Sequence, residues 1–294
     1  VPQDLQTLLE HLSKIAAMPD EIWLSSLDER KRRELEFHDR DRDRTAESEL
    51  DQDTYEKFYG NRKYYSATAD SRSYVNDWIS SNAKGRVFLD YACGNGAQAI
   101  LAAKSGAALA IGIDISAVSV ENATADAHEA GVSENARFIQ ADAERTLLPD
   151  SSIDVVICSG MLHHLDLSFA FPELRRILKP GGKILAVEAL DYNPAIKAYR
   201  KLTPQMRTEW EKAHILSFKD VRFARRFFEV GEVRYWHLLG ILSPHVPALA
   251  GFLERADRRL SKIPLFQRMA WIFTFELIKP VAAEGQVPIA PMVK

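Results

Sequence analysis

The sequence predicts an α/β protein: a seven-stranded, mostly parallel sheet with helices on both faces, an antiparallel last strand, a helical N-terminal cap and a helical insertion. Three observations predict it. Short apolar runs (RVFLDYA, ALAIGIDI, RFIQAD, IDVVICS, KILAVEAL) recur from Arg86 onward, and helical patterns separate the first three. That is the rhythm of parallel strands joined by crossover helices. The runs are nearly continuous in apolar character, as strands buried on both faces are. Two later runs, EVGEVRYWHL and MAWIFTFELIK, complete seven strands if the last inserts antiparallel.

The 294 residues suffice for one large α/β domain with extensions or for two small domains, and the 46% apolar and 27% charged content fits a chain with a sizeable core. Residues 1–84 read as a helical extension. Leu5, Leu8, Leu9 and Leu12 make one apolar stripe at helical spacing. Ser26 with Glu29 has capping-box spacing and predicts a second helix through DERKRRELEFHDRDRDR. Its charges alternate in sign, which predicts a solvated face and argues against a nucleic-acid arm. The run YGNRKYYSA then offers Tyr64 or Tyr65 as a lid over a ligand, or as simple packing.

Residues 85–280 carry the sheet. SFAFPELRRIL predicts a helix that stops at Lys179-Pro180-Gly181-Gly182 before the fifth strand. Asn193-Pro194 and Thr203-Pro204 place proline at first helical positions, and Ser217 with Asp220 forms another cap. The stretches 191–226 and 237–267 read as helical covers over a substrate, and 281–294, which has no period, as a tail.

Asp90-Tyr91-Ala92-Cys93-Gly94-Asn95-Gly96 falls where the first strand turns into a helix, and its small residues let backbone N–H groups approach a ligand. Gly94, Gly96 and Ala99 also satisfy a dinucleotide pattern, so the glycines alone leave a nicotinamide-dependent oxidoreductase open. The carboxylates discriminate. Asp90, Asp114 and Asp142 each follow a strand, where a doubly wound sheet has its ligand crevice. Any one of them could be a helix N-cap, but three at matched positions make an acidic crevice that repels a diphosphate.

VFLDYACGNG, the acidic residue in GIDIS, QADAERTLLPD, IDVVICSGMLHHL and LRRILKPGGKIL together resemble the class I S-adenosylmethionine (SAM)-dependent methyltransferases, in particular the broad group with the ubiquinone/menaquinone-biosynthesis and small-molecule enzymes. The resemblance covers roughly residues 85 to 190. It implies a Rossmann-like fold, SAM as cofactor and S-adenosylhomocysteine as product. It also implies a cofactor site of Tyr65, Asp90, Ala92, Cys93, Gly94, Gly96, Asp114, Ile115, Asp142, Ala143, Ser159 and Gly160. In that site Asp114 takes the ribose hydroxyls, Asp142 with the Ala143 backbone takes the adenine amine, and Ser159 and Gly160 follow the methionine part. SAM has no phosphate and carries two positive groups, so an acidic crevice suits it. The family usually has glycine where Ala92 stands; the alanine is tolerable if its backbone avoids positive φ.

Methyl transfer is an in-line displacement in which the protein mainly positions the reactants. An acceptor that must lose a proton needs a base, and His163 or His164 is the candidate, with at most one expected to point in. Tyr199, Trp210 and His214, with Tyr64 and Arg200, are candidates for the acceptor pocket. Lys197 to Arg226 holds nine basic residues against three acids, which suits an acidic acceptor, an anionic membrane surface or a solvated helix face. SGMLHH lacks the Asn/Asp-Pro-Pro-aromatic motif frequent in the family's nucleic-acid and protein amine methyltransferases. The expected acceptor is therefore a small or lipid-like molecule, methylated on oxygen or carbon, with no nucleic-acid partner.

Tyr235 to Trp271 is aromatic-rich with interspersed Arg255, Arg258, Arg259 and Lys262, a pattern of core packing or of an amphipathic helix on lipid, which leaves peripheral membrane contact open. The net charge of -3 gives no field over the whole molecule. Cys93 and Cys158 lie in apolar runs without metal-site spacing, so no metal is expected and a reducing, cytoplasmic setting is. No secretory leader or run of about 20 apolar residues is visible. Besides the oxidoreductase, a SAM-binding module with a closed acceptor pocket is the alternative.

Overall fold

A computed structural model describes residues 3–59, 64 and 68–281, so Tyr65 and the tail from 282 lie outside the described residues. The chain opens with α1 (Gln3–Ala16), α2 (Asp20–Ser26), α3 (Glu29–Arg42), α4 (Arg44–Ser48) and α5 (Gln52–Tyr59), and α6 (Ala69–Ala83) leads into the sheet. Leu8 and Leu12 of α1 are buried, with Leu5 and Leu9 packed against the same core, as their spacing predicts.

Two expectations for this segment are corrected. Ser26 ends α2, its hydroxyl donating to the Trp23 carbonyl at 2.6 Å, and α3 is capped instead by Asp28, which accepts from the Lys31 backbone N–H. Nor is α3 a solvated face: Glu34 and Leu35 are buried.

The sheet follows as β1 (Val87–Tyr91), α7 (Ala97–Lys104), β2 (Leu109–Asp114), α8 (Ala117–Glu129), β3 (Ala136–Gln140), β4 (Ile153–Ser159), α9 (Leu167–Ile177) and β5 (Leu178–Ala189). Then come α10 (Pro194–Leu202), α11 (Glu209–Ala213), α12 (Phe218–Ala224), β6 (Glu229–Trp236), α13 (Ala250–Leu260), α14 (Pro264–Gln267) and β7 (Ile272–Ile278). The strand order is β3-β2-β1-β4-β5-β7-β6. Only β7 runs against its neighbours, inserted between β5 and β6. Side chains alternate across the sheet: Leu89, Ile111, Val156 and Phe273 enter one apolar cluster, and Phe88, Ala110, Val155 and Leu185 the other. The order reverses beside β1, where β4 lies on the side opposite β2, and a crevice opens at such a switch point.

The expected break after α9 takes another form. Ile177 is the last helical residue and Leu178 the first of β5, so Lys179-Pro180-Gly181-Gly182 lies inside the strand. There the register with β4 shifts, since proline has no N–H for the ladder and Gly181 adopts φ 75°, and the segment bulges. The later caps are as expected. Asn193 accepts from the Ala195 and Ile196 N–H groups, Ser217 and Asp220 form a reciprocal capping box, and Pro204 opens a single 3-10 turn. Among the described residues no helix is long and apolar enough to cross a membrane.

Candidate active site

The turn from β1 to α7 is built on three left-handed residues, Ala92 (φ 58°), Gly94 (φ 50°) and Gly96 (φ 76°). A Cβ on Gly96 would lie 2.5 Å from Phe138 and 2.8 Å from Ala123, so no side chain fits. Ala92 takes positive φ, so the condition for an unstrained alanine at this position is not met. The Cys93 N–H reaches the Ile113 carbonyl at 2.8 Å, which forces the chain to reverse at residue 92. The conformation costs an alanine about 1–2 kcal/mol.

Each aspartate has a backbone task. Asp114 accepts from the Gly94 N–H at 2.8 Å and the Ser116 N–H at 2.9 Å. Asp90 is buried and accepts from the Ala99 N–H at 3.1 Å, and burial pushes its carboxyl up to about 8. Asp142 accepts from the Glu144 N–H at 2.8 Å, and the Tyr91 hydroxyl ties the next residue by donating to the Ala143 carbonyl.

Above the turn lies a cavity of about 100 Å³. Ala92, Gly94, Asp114, Ile115, Asp142, Ala143, Ser159 and Gly160 line it from the sheet, and Arg30, Lys31, Glu34, His38 and Arg42 line it from α3. Asp90, Cys93 and Gly96 do not reach its wall; they hold the turn from beneath.

Helix α3 also changes the charge of the crevice. Lys31 Nζ stands 2.7 Å from Asp142 and 3.0 Å from Glu144, and Arg30 stands 2.6 Å from Glu144. Burial raises the Asp114 carboxyl, while its two backbone N–H bonds and then the Arg42 guanidinium pull it back. Four acids in the wall (Glu34, Asp114, Asp142, Glu144) therefore meet three cations (Arg30, Lys31, Arg42). A crevice that the strand ends alone would make acidic is close to neutral while α3 covers it.

A larger cavity of about 1160 Å³ shares His38, Arg42, Ser159, Gly160 and His164 with the smaller one. Arg40, Arg42, Arg44, Arg72, Arg200 and Arg207 line it, against Asp41, Glu47, Glu188 and Glu211, with Phe58, Val75, Ile196, Ile241 and Leu242 among its apolar walls. His163 and His164 sit on a single 3-10 turn after β4, and both line this cavity, their ring centroids 4.3 Å apart. The expectation that one at most points in is corrected: side chains about 120° apart on a short projecting turn both meet a wide cavity.

A carboxylate holds each imidazole. His163 Nδ1 lies 2.7 Å from Glu188 Oε2, and Oε1 of the same buried glutamate accepts the Met161 and Leu162 N–H groups at 2.8 and 2.7 Å. His164 Nδ1 lies 2.9 Å from Glu34 of α3. On the far side His163 Nε2 is 3.9 Å from Glu211 Oε1, which Arg207 Nε approaches at 3.4 Å. Burial raises the Glu211 carboxyl and holds His38 well below the usual histidine range. One ligand atom each from His163, His164 and Glu211 lies within 4.8 Å of the others, as for Glu34, His38 and His164. Groups able to ligate a cation thus converge where the sequence spacing shows no metal motif.

Of the acceptor candidates, Tyr64, Tyr199 and Arg200 line the large cavity, with the Tyr64 hydroxyl 3.2 Å from His245 Nε2. Trp210 and His214 do not line it. They stack on each other at 3.7 Å, and Arg30 of α3 covers the indole at 4.7 Å. Sequence reasoning missed Glu34, His38, Arg42, Glu188 and Glu211. Only Glu34, His38 and Arg42 left a local signal, spaced four residues apart along one helical face.

Residues 89–186 match a family model described as a methyltransferase domain. The chain is 39% identical over 101 residues to 27-O-demethylrifamycin SV methyltransferase of Amycolatopsis mediterranei, covering 34% of this chain and 37% of that one. It is 30% identical over 127 residues to sterol 24-C-methyltransferase erg6 of Aspergillus fumigatus, covering 43% and 33%. The chain thus spans about a third of the length of these curated relatives. Among solved structures the cyclase SpnF superposes with TM-score 0.51 at 23% identity, over 71% of this chain and 81% of that chain, and so shares the fold. A parallel sheet that changes direction beside β1, and a methyltransferase-domain match over residues 89–186, which run from β1 into β5, make this segment similar to the class I SAM-dependent methyltransferases.

Proposed function

We propose that the chain methylates an oxygen or carbon of a small, amphipathic acceptor that carries an anionic group. The observation that carries this reading is the shared wall: Ser159, Gly160 and His164 belong to both cavities, so a methyl donor in the small one faces an acceptor in the large one. Bound SAM supplies an electrophilic methyl group. Asp114 has lone pairs left for ribose hydroxyls, Asp142 and the Ala143 backbone can take an adenine amine, and Ser159 and Gly160 flank the methionine part. Lys31 must leave Asp142 for this to happen.

His163 is the base in this reading. Glu188 holds its Nδ1–H, which leaves the Nε2 lone pair to remove a proton from an acceptor O–H or activated C–H. The buried Glu188 carboxylate then stabilises the imidazolium. Six arginines against four acids suit an acceptor phosphate or carboxylate, and the apolar walls suit its hydrocarbon part. The test is to incubate the chain with SAM and fractionated lipid and metabolite pools. S-adenosylhomocysteine should appear with anionic fractions and not with neutral ones; no release from any pool would sink the proposal. Tight SAM binding without turnover would favour the second reading, a module that binds SAM without passing on its methyl, since SpnF shows this fold in a protein named for another reaction. The dinucleotide reading of Gly94, Gly96 and Ala99 gains no support from the family match.

A further inference from the structure

More than half of the exposed large hydrophobic side chains among the described residues lie between Leu242 and Met269. Two runs of consecutive exposed apolar residues flank α13: Val246-Pro247-Ala248-Leu249 before it and Ile263-Pro264-Leu265-Phe266 after it. Phe252 at 61% and Leu265 at 73% exposure show that these side chains are not core packing, the other reading their sequence allowed. A water-facing surface does not hold such runs without a use for them.

The same stretch exposes Arg255, Arg258, Arg259, Lys262 and Arg268. Its acids are Glu254 and Asp257, and Asp257 is buried, accepting the Leu239 and Gly240 N–H groups at 2.7 and 2.8 Å. Arg258 has a partner in Asp70 at 3.1 Å, which leaves a cationic excess. Leu242 and His245, at the start of the apolar stretch, also line the large cavity, so the apolar face and the acceptor site are continuous.

We propose that this face docks on an anionic lipid bilayer, with the two apolar runs entering the headgroup region and the basic residues meeting lipid phosphates. Charge complementarity selects this occupant: a second copy meeting the same face would set five cations against five. Apolar insertion with basic flanks is how an interfacial segment binds membrane. An amphipathic acceptor could then pass from the bilayer past Leu242 into the cavity. That delivery rests on the proposed methyl transfer, but docking is read without any turnover and stands or falls by itself.

The test is co-sedimentation of the full chain with vesicles of phosphatidylcholine alone or mixed with phosphatidylglycerol. Binding should require phosphatidylglycerol and weaken with added salt. Leu265→Ser with Phe266→Ser, and separately Arg255→Glu with Arg259→Glu, should each weaken it about tenfold or more. All four residues are exposed and outside the cofactor pocket, so circular dichroism and SAM calorimetry should not change. Equal binding to both vesicle types, no binding to either, or full binding by both double variants would overturn the proposal. So would a dimer in sedimentation equilibrium that the serine pair abolishes.

Discussion

The cofactor pocket takes its sheet-side wall from the ends of adjacent strands and is closed by one helix to about 100 Å³. Across Gly160, the acceptor cavity is assembled from residues as far apart as Phe37 and Ile272 and encloses about 1160 Å³. The first is backbone geometry with carboxylates attached, whereas the second is a convergence of side chains from separate elements. A pocket of the first kind constrains its sequence locally, through turns and caps. The second constrains it only through tertiary contacts, and in the proposed function it is where specificity for an acceptor would reside.

The comparison breaks most visibly at His163, which lines only the acceptor side. His163→Ala should lower kcat about 10²- to 10⁴-fold and leave the calorimetric Kd for SAM unchanged. Loss of both together would show that the two regions act as one.

Titration separates the regions next. Burial lowers His237 to about 4, and its Nε2 meets the hydroxyl of Ser71, a residue of the acceptor wall, at 2.8 Å. Because the folded pKa lies below the unfolded value of about 6.5, the unfolded chain takes up the proton first. Stability is full above that value and falls as the pH drops toward 4, by roughly 3 kcal/mol when complete. Asp90, beneath the cofactor turn, acts in the opposite sense. Its folded pKa of about 8 exceeds the unfolded one, so its contribution is lost as pH rises from about 4 to 8. Urea unfolding at pH 4.5, 6 and 8 (roughly the two flanks and the middle of these windows) should show His237→Asn flattening the acid limb and Asp90→Asn the alkaline limb.

On the cofactor side alone, Asp114→Ala should weaken SAM binding about ten- to a hundredfold by calorimetry, the worth of charge-assisted hydrogen bonds, with turnover at saturating SAM largely kept. Unchanged affinity would remove the ribose assignment. The smallest effect belongs to Ala92→Gly, which relieves a left-handed alanine and should raise stability by about 1 kcal/mol in urea. A lower midpoint would mean that the lost methyl contacts outweigh the strain.

The sequence makes the cofactor side legible because its signals are local. Apolar runs give β1 to β5, the glycines mark a turn whose φ values few residues tolerate, and Asn193 and Ser217 cap helices by hydrogen bonds within three residues. What stayed hidden was set by partners far along the chain. In DERKRRELEFHDRDRDR nothing marks Glu34 as the partner of His164, 130 residues on, or Lys31 as the partner of Asp142. Glu188 looks like one polar residue in a buried strand until β5 brings it under the His163 turn. Ser26 misled for the reverse reason: its spacing fits a cap, but its hydroxyl was already used by its own helix.

The ionic contacts of α3 carry a consequence for entry to the pocket. A helix latched by Lys31 and Arg30 to Asp142 and Glu144 must unlatch before anything the size of a nucleoside can enter or leave the space below it. In the proposed function, exchange of spent cofactor for fresh would therefore require this helix to move, as covers do in many enzymes with enclosed sites. The same charged run that looks like an ordinary surface helix thus covers the pocket through ion pairs that any entering ligand has to displace.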